Sequence, residues 1–115
     1  MKKIKDIEAA LDQFEDAATK HAEATEIGDY KTGNKCYVVI VRILAFLKEQ
    51  DQVLALSKFL DHASVGVRMW AATFLLPFRE EEGIKTLEQI AEEDGIHSLT
   101  AATTLKEWRK GNLHL

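Results

Sequence analysis

The stretch from Cys36 to Leu47 constrains the fold more than any other part of this sequence. It is apolar at every position except Arg42. It continues a predicted helix that begins at Asp29, because aspartate is a residue type that caps helices. No segment of the chain alternates apolar and polar residues as a strand does. Because a helix that is apolar nearly all round is buried on most of its sides, the stretch predicts a central, buried helix in an all-α fold.

Residues that start and stop helices divide the chain into six predicted helices. The first carries its apolar residues at helical spacing and ends near Gly28; Asp29, Asp51 and Ser64 are caps for the next three. Pro77 ends the fourth, because proline cannot donate to the preceding turn. The predicted bounds are about 4–25, 29–49, 51–60, 64–77, 80–93 and 96–110. The short connections favour antiparallel neighbours.

An internal repeat supports a more specific architecture. Paired alanines followed by a leucine recur thirty residues apart, in the fourth and sixth predicted helices. A period near thirty with two helices per unit is typical of an α-solenoid, and three units are about the minimum that can share a core. The sequence thus predicts an α-α superhelix of three antiparallel helical hairpins. The recurring residues are Ala71, Ala72 and Leu75, then Ala101, Ala102 and Leu105.

The segment 64–76, SVGVRMWAATFLL, resembles the second helix of a HEAT repeat, through its Val-Arg followed by Ala-Ala and Leu. Gly28-Asp29-Tyr30 with Asn34, Tyr37 and Trp108 further resembles a family of small bacterial HEAT-like (armadillo-type) domains of unknown function. The resemblance covers about residues 25–110 and, together with the chain length, implies one HEAT-like domain over 1–115. Small proteins of this kind can occur as immunity partners of secreted bacterial toxins, so it also implies a protein-binding role. The first predicted helix departs from the repeat pattern, and the family supplies no catalytic residues.

Length and charge narrow the function classes. A chain of 115 residues fits one domain, and its longest apolar run is far short of a membrane span. A lone cysteine and the lack of an export signal predict a cytoplasmic protein. The net charge of −4 disfavours nucleic-acid binding.

The charges are unevenly distributed. Residues 1–29 hold eight acids against four lysines, and 79–94 hold seven acids against two basic residues. Residues 30–78 are mildly basic, with six basic residues against three acids. Acidic surfaces suit a basic partner, for example the nuclease domain of a toxin. The alternative is that these are solvated helix faces and helix caps.

A search for catalytic chemistry finds no strong candidate. None of the four histidines, His21, His62, His97 and His114, has another at metal-ligand spacing, so we expect surface or turn positions and no metal. Cys36 lies in the apolar run and is expected to be a buried small hydrophobe. No nucleotide or cofactor motif is present. We therefore expect a protein without a cofactor that is not an enzyme.

Two arginines stand alone in apolar helices. Arg42 and Arg68 are predicted to be structural, because a buried guanidinium needs an acceptor. For Arg68 the expected acceptor is Asp61, across the loop before its helix. The alternative is direct contact with a partner.

Aromatic and small polar residues occupy equivalent sides of the second, fourth and sixth predicted helices. In a solenoid these helices lie side by side, and tyrosine and tryptophan are favoured interface anchors, so we predict a partner-binding face. The alternative is that Trp70 and Tyr37 complete the core. The predicted face comprises Asp29, Tyr30, Asn34 and Tyr37, then Trp70 and Thr73, then Thr100, Thr103 and Glu107.

The leading functional prediction is an immunity protein that neutralises a toxin by direct binding. The alternative is a stand-alone HEAT-like scaffold or regulatory protein that binds a cellular protein. We expect a monomer or a weak dimer, with neither nucleic acid nor membrane as a partner.

Overall fold

The computed structural model of the chain describes residues 4–113, and within that range all regular structure is helical. The prediction of an all-α fold with six helices is confirmed. The segments are α1 (Ile7–Ile27), α2 (Tyr30–Glu49), a 3-10 helix (Val53–Phe59), α3 (Val65–Leu75), α4 (Glu80–Glu92) and α5 (Ile96–Arg109). His114 and the residues 1–3 considered for an export signal lie outside the described residues.

The chain divides into two compact units, Met1–Leu56 and Ser57–Leu115. In the first unit α1 packs along α2. In the second unit α4 packs against both α3 and α5, and α3 also contacts α5. The single domain expected over 1–115 stays a prediction.

Helix α1 begins three residues later than its apolar pattern suggested, because Asp6 caps it. The Asp6 carboxylate accepts a hydrogen bond from the Ala9 N–H at 2.8 Å. Gly28 ends the helix as predicted, with a φ of 72° in the left-handed region. Small side chains form most of the inner face, which lets α2 approach closely. They are Ala10, Ala17, Ala18, Ala22 and Ala24, all buried.

Helix α2 buries one side only, which corrects the prediction of a helix buried on most of its sides. The side chains of Val38 and Val41 are 50% and 41% exposed. The sequence showed that the run is apolar, but only tertiary packing decides which of its sides is covered. The buried side chains of α2 are Cys36, Ile40, Ile43, Leu44 and Leu47.

The role predicted for Asp51 is wrong, because this residue ends α2 and does not cap the next helix. Its φ of 56° is left-handed. The Asp51 N–H donates to the Lys48 carbonyl, and the Gln52 N–H donates to the Leu47 carbonyl at 2.8 Å. These two bonds satisfy the last carbonyls of α2 in a Schellman arrangement. The third predicted helix starts only at Val53 and is of the 3-10 type.

The second unit has its own core between α3, α4 and α5. Ser64 caps α3 as predicted, accepting from the Val67 N–H. Gly83 allows α4 to approach α3, since a Cβ there would lie 2.8 Å from the Ala72 carbonyl oxygen and 3.0 Å from Leu76 Cδ2. The buried core consists of Met69, Ala72, Leu76, Leu87, Ile90, Ala101 and Leu105.

Arg68 has an acceptor, as predicted, but the acceptor is Glu93. The Arg68 Nη1 lies 3.0 Å from Glu93 Oε2, so the pair joins α3 to the end of α4. Asp61 is exposed in the turn before α3. Arg42 is exposed on α2 and needs no buried acceptor, contrary to the reason given for its structural role. His97, expected at the surface or in a turn, is buried in the first turn of α5.

Gly83→Ala should lower the free energy of unfolding by about 1–3 kcal/mol, because the new methyl group meets backbone that must move. This loss should outweigh the gain of up to about 1 kcal/mol from the better helix propensity of alanine. Denaturant unfolding followed by circular dichroism measures it. Gly33→Ala is the matched control, since its Cβ would find only Ala24 Cβ, at 4.0 Å. It should leave stability unchanged or raise it; equal effects at the two positions would contradict the packing.

Leu44→Ala should cost about 2–5 kcal/mol of unfolding free energy, the usual range for a large-to-small change in a core. Leu44 is only 8% exposed on the covered side of α2. Val38→Ala on the open side is the comparison and should cost less than about 1 kcal/mol. If the denaturant midpoints of the two variants shift equally, α2 does not bury the side that the structure shows.

Candidate protein-binding surface

The open side of α2 carries a stripe of apolar side chains. Tyr30 is 82% exposed, and Tyr37 and Val38 are each 50% exposed. The spacing of 30, 34, 37 and 41 places these residues along one side of a helix, over about 16 Å. We call Tyr30, Asn34, Tyr37, Val38 and Val41 the α2 stripe. It is an exposed row of mostly apolar side chains, of the kind that marks interaction sites.

Helical spacing predicted Tyr30, Asn34 and Tyr37 as binding residues, whereas Val38 and Val41 were not predicted. The two valines were assigned to a buried helix on composition alone. The signal that could have found Val41 is the continued spacing, because position 41 follows 30, 34 and 37 on the same side. Ile27, at the end of α1, is 79% exposed and was also missed.

Asp29 acts as the N-cap of α2. Its carboxylate accepts from the Thr32 hydroxyl at 2.7 Å and from the Thr32 N–H at 3.2 Å. These hydrogen bonds, the hydroxyl first, lower the pKa of Asp29, because they stabilise the charged form. The predicted rim acid therefore already has partners within its own helix turn.

The remaining predicted site residues belong to the second unit, and three of them lie on α5. Thr100 and Thr103 are exposed, and Glu107 accepts from Asn112 Nδ2 at 3.1 Å. Leu99, on the same outer side and 73% exposed, was missed. The α5 surface therefore combines hydroxyl groups with two exposed apolar side chains, because Ile96, one turn before Leu99, is 52% exposed.

On α3 the predicted residues are less accessible. Trp70 is partly buried, its indole Nε1 is closed to solvent, and its ring centroid lies 5.5 Å from that of Phe74. The Thr73 hydroxyl donates to the Met69 carbonyl of its own helix at 2.8 Å. This placement favours the alternative in which Trp70 completes the core.

The carboxylates of α4 bind its neighbours, a role the sequence did not reveal. Glu80 accepts from Trp108 Nε1 at 2.8 Å, and Glu88 lies 3.1 Å from Arg109 Nη2. Both contacts join α4 to α5, as the Arg68–Glu93 pair joins α3 to the end of α4. Part of the acidic run thus stabilises the second unit and is more than a solvated cap.

Cys36 lies at a cleft of about 280 Å³ between α1 and α2. The thiol is buried, as predicted, and burial raises its pKa, which keeps it protonated. Lys20 and Asp16, which also line the cleft, pair with each other at 3.0 Å. A protonated, buried thiol is a poor nucleophile.

Comparison of the chain with protein-family models, with curated proteins and with solved structures gives no match. Among residues 4–113, no three potential metal-ligating side chains converge on one point. No helix in that range is long and apolar enough to cross a bilayer. The geometry of the α2 stripe is therefore the main structural guide to function.

The lowered pKa of Asp29 predicts a pH-dependent contribution to stability. A carboxylate whose pKa is lower in the folded than in the unfolded state stabilises the fold at any pH above its unfolded-state pKa, which is about 4 for aspartate. This contribution is lost as the pH falls through the folded-state pKa. The stability of the wild type relative to Asp29→Asn should therefore decrease between about pH 6 and pH 2, measured by denaturant midpoints. Thr32→Val removes the donating hydroxyl and should reduce this dependence. A difference that does not change with pH would contradict the assignment.

Proposed function

We propose that the chain is a protein-binding module and that the α2 stripe is its contact surface. The supporting observation is an exposed row in which two tyrosines, two valines and an asparagine follow one side of a helix. Tyrosines bury a large area at little cost in conformational entropy and are enriched among interface hot spots. In this proposal the protein acts by binding and not by catalysis.

For the fold we infer a HEAT-like superhelix of three antiparallel hairpins. The equivalence of α3 and α5 supports it. Ala71 and its equivalent Ala101 are both fully buried, and Leu75 and its equivalent Leu105 are 0% and 4% exposed. Ala102 departs from the pattern, because it is exposed.

For the biological role we propose an immunity protein that neutralises a bacterial toxin in the cytoplasm by direct binding. This rests on the resemblance to small bacterial HEAT-like domains. A basic toxin domain, such as a nuclease, fits the net charge of −4 and the outer side of α1. The exposed acids there include Glu8, Asp12, Glu23 and Glu26. The alternative role is a scaffold or regulator that binds a cellular protein.

The test compares Tyr37→Ala with Phe78→Ala. Both side chains are 50% exposed, but Phe78 lies in the second unit, outside the stripe. Each variant is used to capture partners from cells of the source organism, and its affinity for the purified partner is then measured. Tyr37→Ala should weaken binding by about 2 kcal/mol or more, as hot-spot residues do, with Phe78→Ala near the wild type.

Denaturant unfolding of both variants separates binding from folding. A stable Tyr37→Ala protein that keeps full affinity, while Phe78→Ala loses it, would move the surface to the second unit. Co-expression decides between the two roles, since an immunity protein restores growth to cells that make its toxin and a scaffold does not.

A further inference from the structure

Exposed cations follow the α2 stripe along one edge. Lys31, Lys35 and Arg42 are all exposed and lie about 100° around the helix from the middle of the stripe. We call them the basic ridge. The opposite edge of the stripe adjoins the side of α2 that packs on α1. A molecule on the stripe therefore meets positive charge on one side only.

The charge of this surface is opposite to that of the whole chain. Helix α2 carries four basic residues and one acid, Glu49, whereas the chain has a net charge of −4. Asp29 is held by Thr32 in the cap, and its charge also acts on Lys35 of the ridge. None of the ion pairs described within residues 4–113 uses a cation of the basic ridge. Lys31 and Arg42 in particular are left to act on a ligand.

We propose that the segment that binds the α2 stripe is an acidic amphipathic α-helix of a partner protein. This inference rests on the proposed function and names the chemistry of the contact, whatever the net charge of the rest of the partner. A helix presents apolar residues at the same spacing as the stripe, over the same length of about three turns. Carboxylates along one of its flanks would meet the basic ridge, as charges beside a helical seam do in coiled coils.

Two other occupants fit the surface less well. In a symmetric pair of antiparallel helices, equivalent flanks face each other, so a second copy would bring one basic ridge against the other. An anionic membrane would attract the ridge but would repel a chain that carries 19 acids against 15 basic residues. A short acidic helix is attracted locally by the basic ridge.

The experiment uses the full chain and synthetic peptides of 18 residues. The acidic peptide has leucines at helical a and d spacing and glutamates on one flank; its matched partner has lysine at each glutamate position, and a third peptide scrambles the acidic sequence. Fluorescence anisotropy gives affinities, and amide chemical shifts locate the site. The acidic peptide should bind at α2, at least about ten-fold more tightly than either control.

Charge reversal supplies the decisive comparison. The variant K31E/K35E/R42E should bind the acidic peptide at least about ten-fold more weakly than the wild type does, and it should bind the lysine peptide more tightly than the acidic one. The control K85E/K106E/K110E reverses three exposed cations of the second unit, with the same change in net charge, and should bind as the wild type does. The variant K31Q/K35Q/R42Q removes the charges without reversing them, and its affinity for the acidic peptide should fall by an intermediate amount. It controls for an effect of charge reversal on folding.

Several results would overturn the inference. The acidic and lysine peptides could bind equally well, or the amide shifts could lie away from α2. Sedimentation could show a dimer that Tyr37→Ala dissociates, which would make a second copy the occupant. The protein could bind vesicles of phosphatidylserine and phosphatidylcholine through the basic ridge and bind no peptide, which would make a membrane the occupant. If the partner from cells depends on Tyr37 but not on the ridge, the proposed function stands and the acidic helix does not. If neither matters, both proposals fail.

Discussion

The packing of α2 against the alanine-lined side of α1 determines what the first unit can present to its surroundings. Alanines leave room for close approach, so Ile40, Ile43 and Leu47 become fully buried. A helix has about 3.6 residues per turn, and burying one set of positions leaves the opposite set open. Since α2 is apolar on both sets, the open side must show apolar side chains. The α2 stripe is thus a direct consequence of how α1 and α2 pack.

Local chemistry explains which parts of the fold could be predicted from the sequence. Asp29 and Ser64 cap helices, and Gly28 and Gly111 take left-handed conformations after helices, because each needs only its own neighbours. Asp51 was misassigned because aspartate suits both an N-cap and, less often, a left-handed position. Sequence could not choose between the two, since the hydrogen bonds to Lys48 and Leu47 depend on where α2 stops.

The candidate surface was predictable only in part, and for a different reason. Periodicity placed Tyr30, Asn34 and Tyr37 on one side of a helix, which is a property of the chain alone. Whether Val41 on that same side is covered depends on residues far away in the sequence. Trp70 shows the converse: its spacing resembled that of an interface residue, but its ring lies against Phe74 with the indole nitrogen closed to solvent. Spacing identifies a side of a helix but not what lies beyond it.

Charge must be judged in the same way, by what each group already contacts. Glu80, Glu88 and Glu93 contribute to the net charge of −4, yet each is bound to Trp108, Arg109 or Arg68. The two ion pairs stabilise modestly, and in each of them the arginine offsets the field of the glutamate in solvent, whereas the hydrogen bond from the neutral Trp108 leaves the charge of Glu80 in place. The cations beside the α2 stripe form none of the ion pairs described within residues 4–113, and only Lys35 has an acid, Asp29, acting on it, so their field extends outward. A chain that is acidic in total can therefore present a basic contact surface. The charge that a partner experiences is that of the residues beside the exposed apolar side chains, not the net charge of the chain.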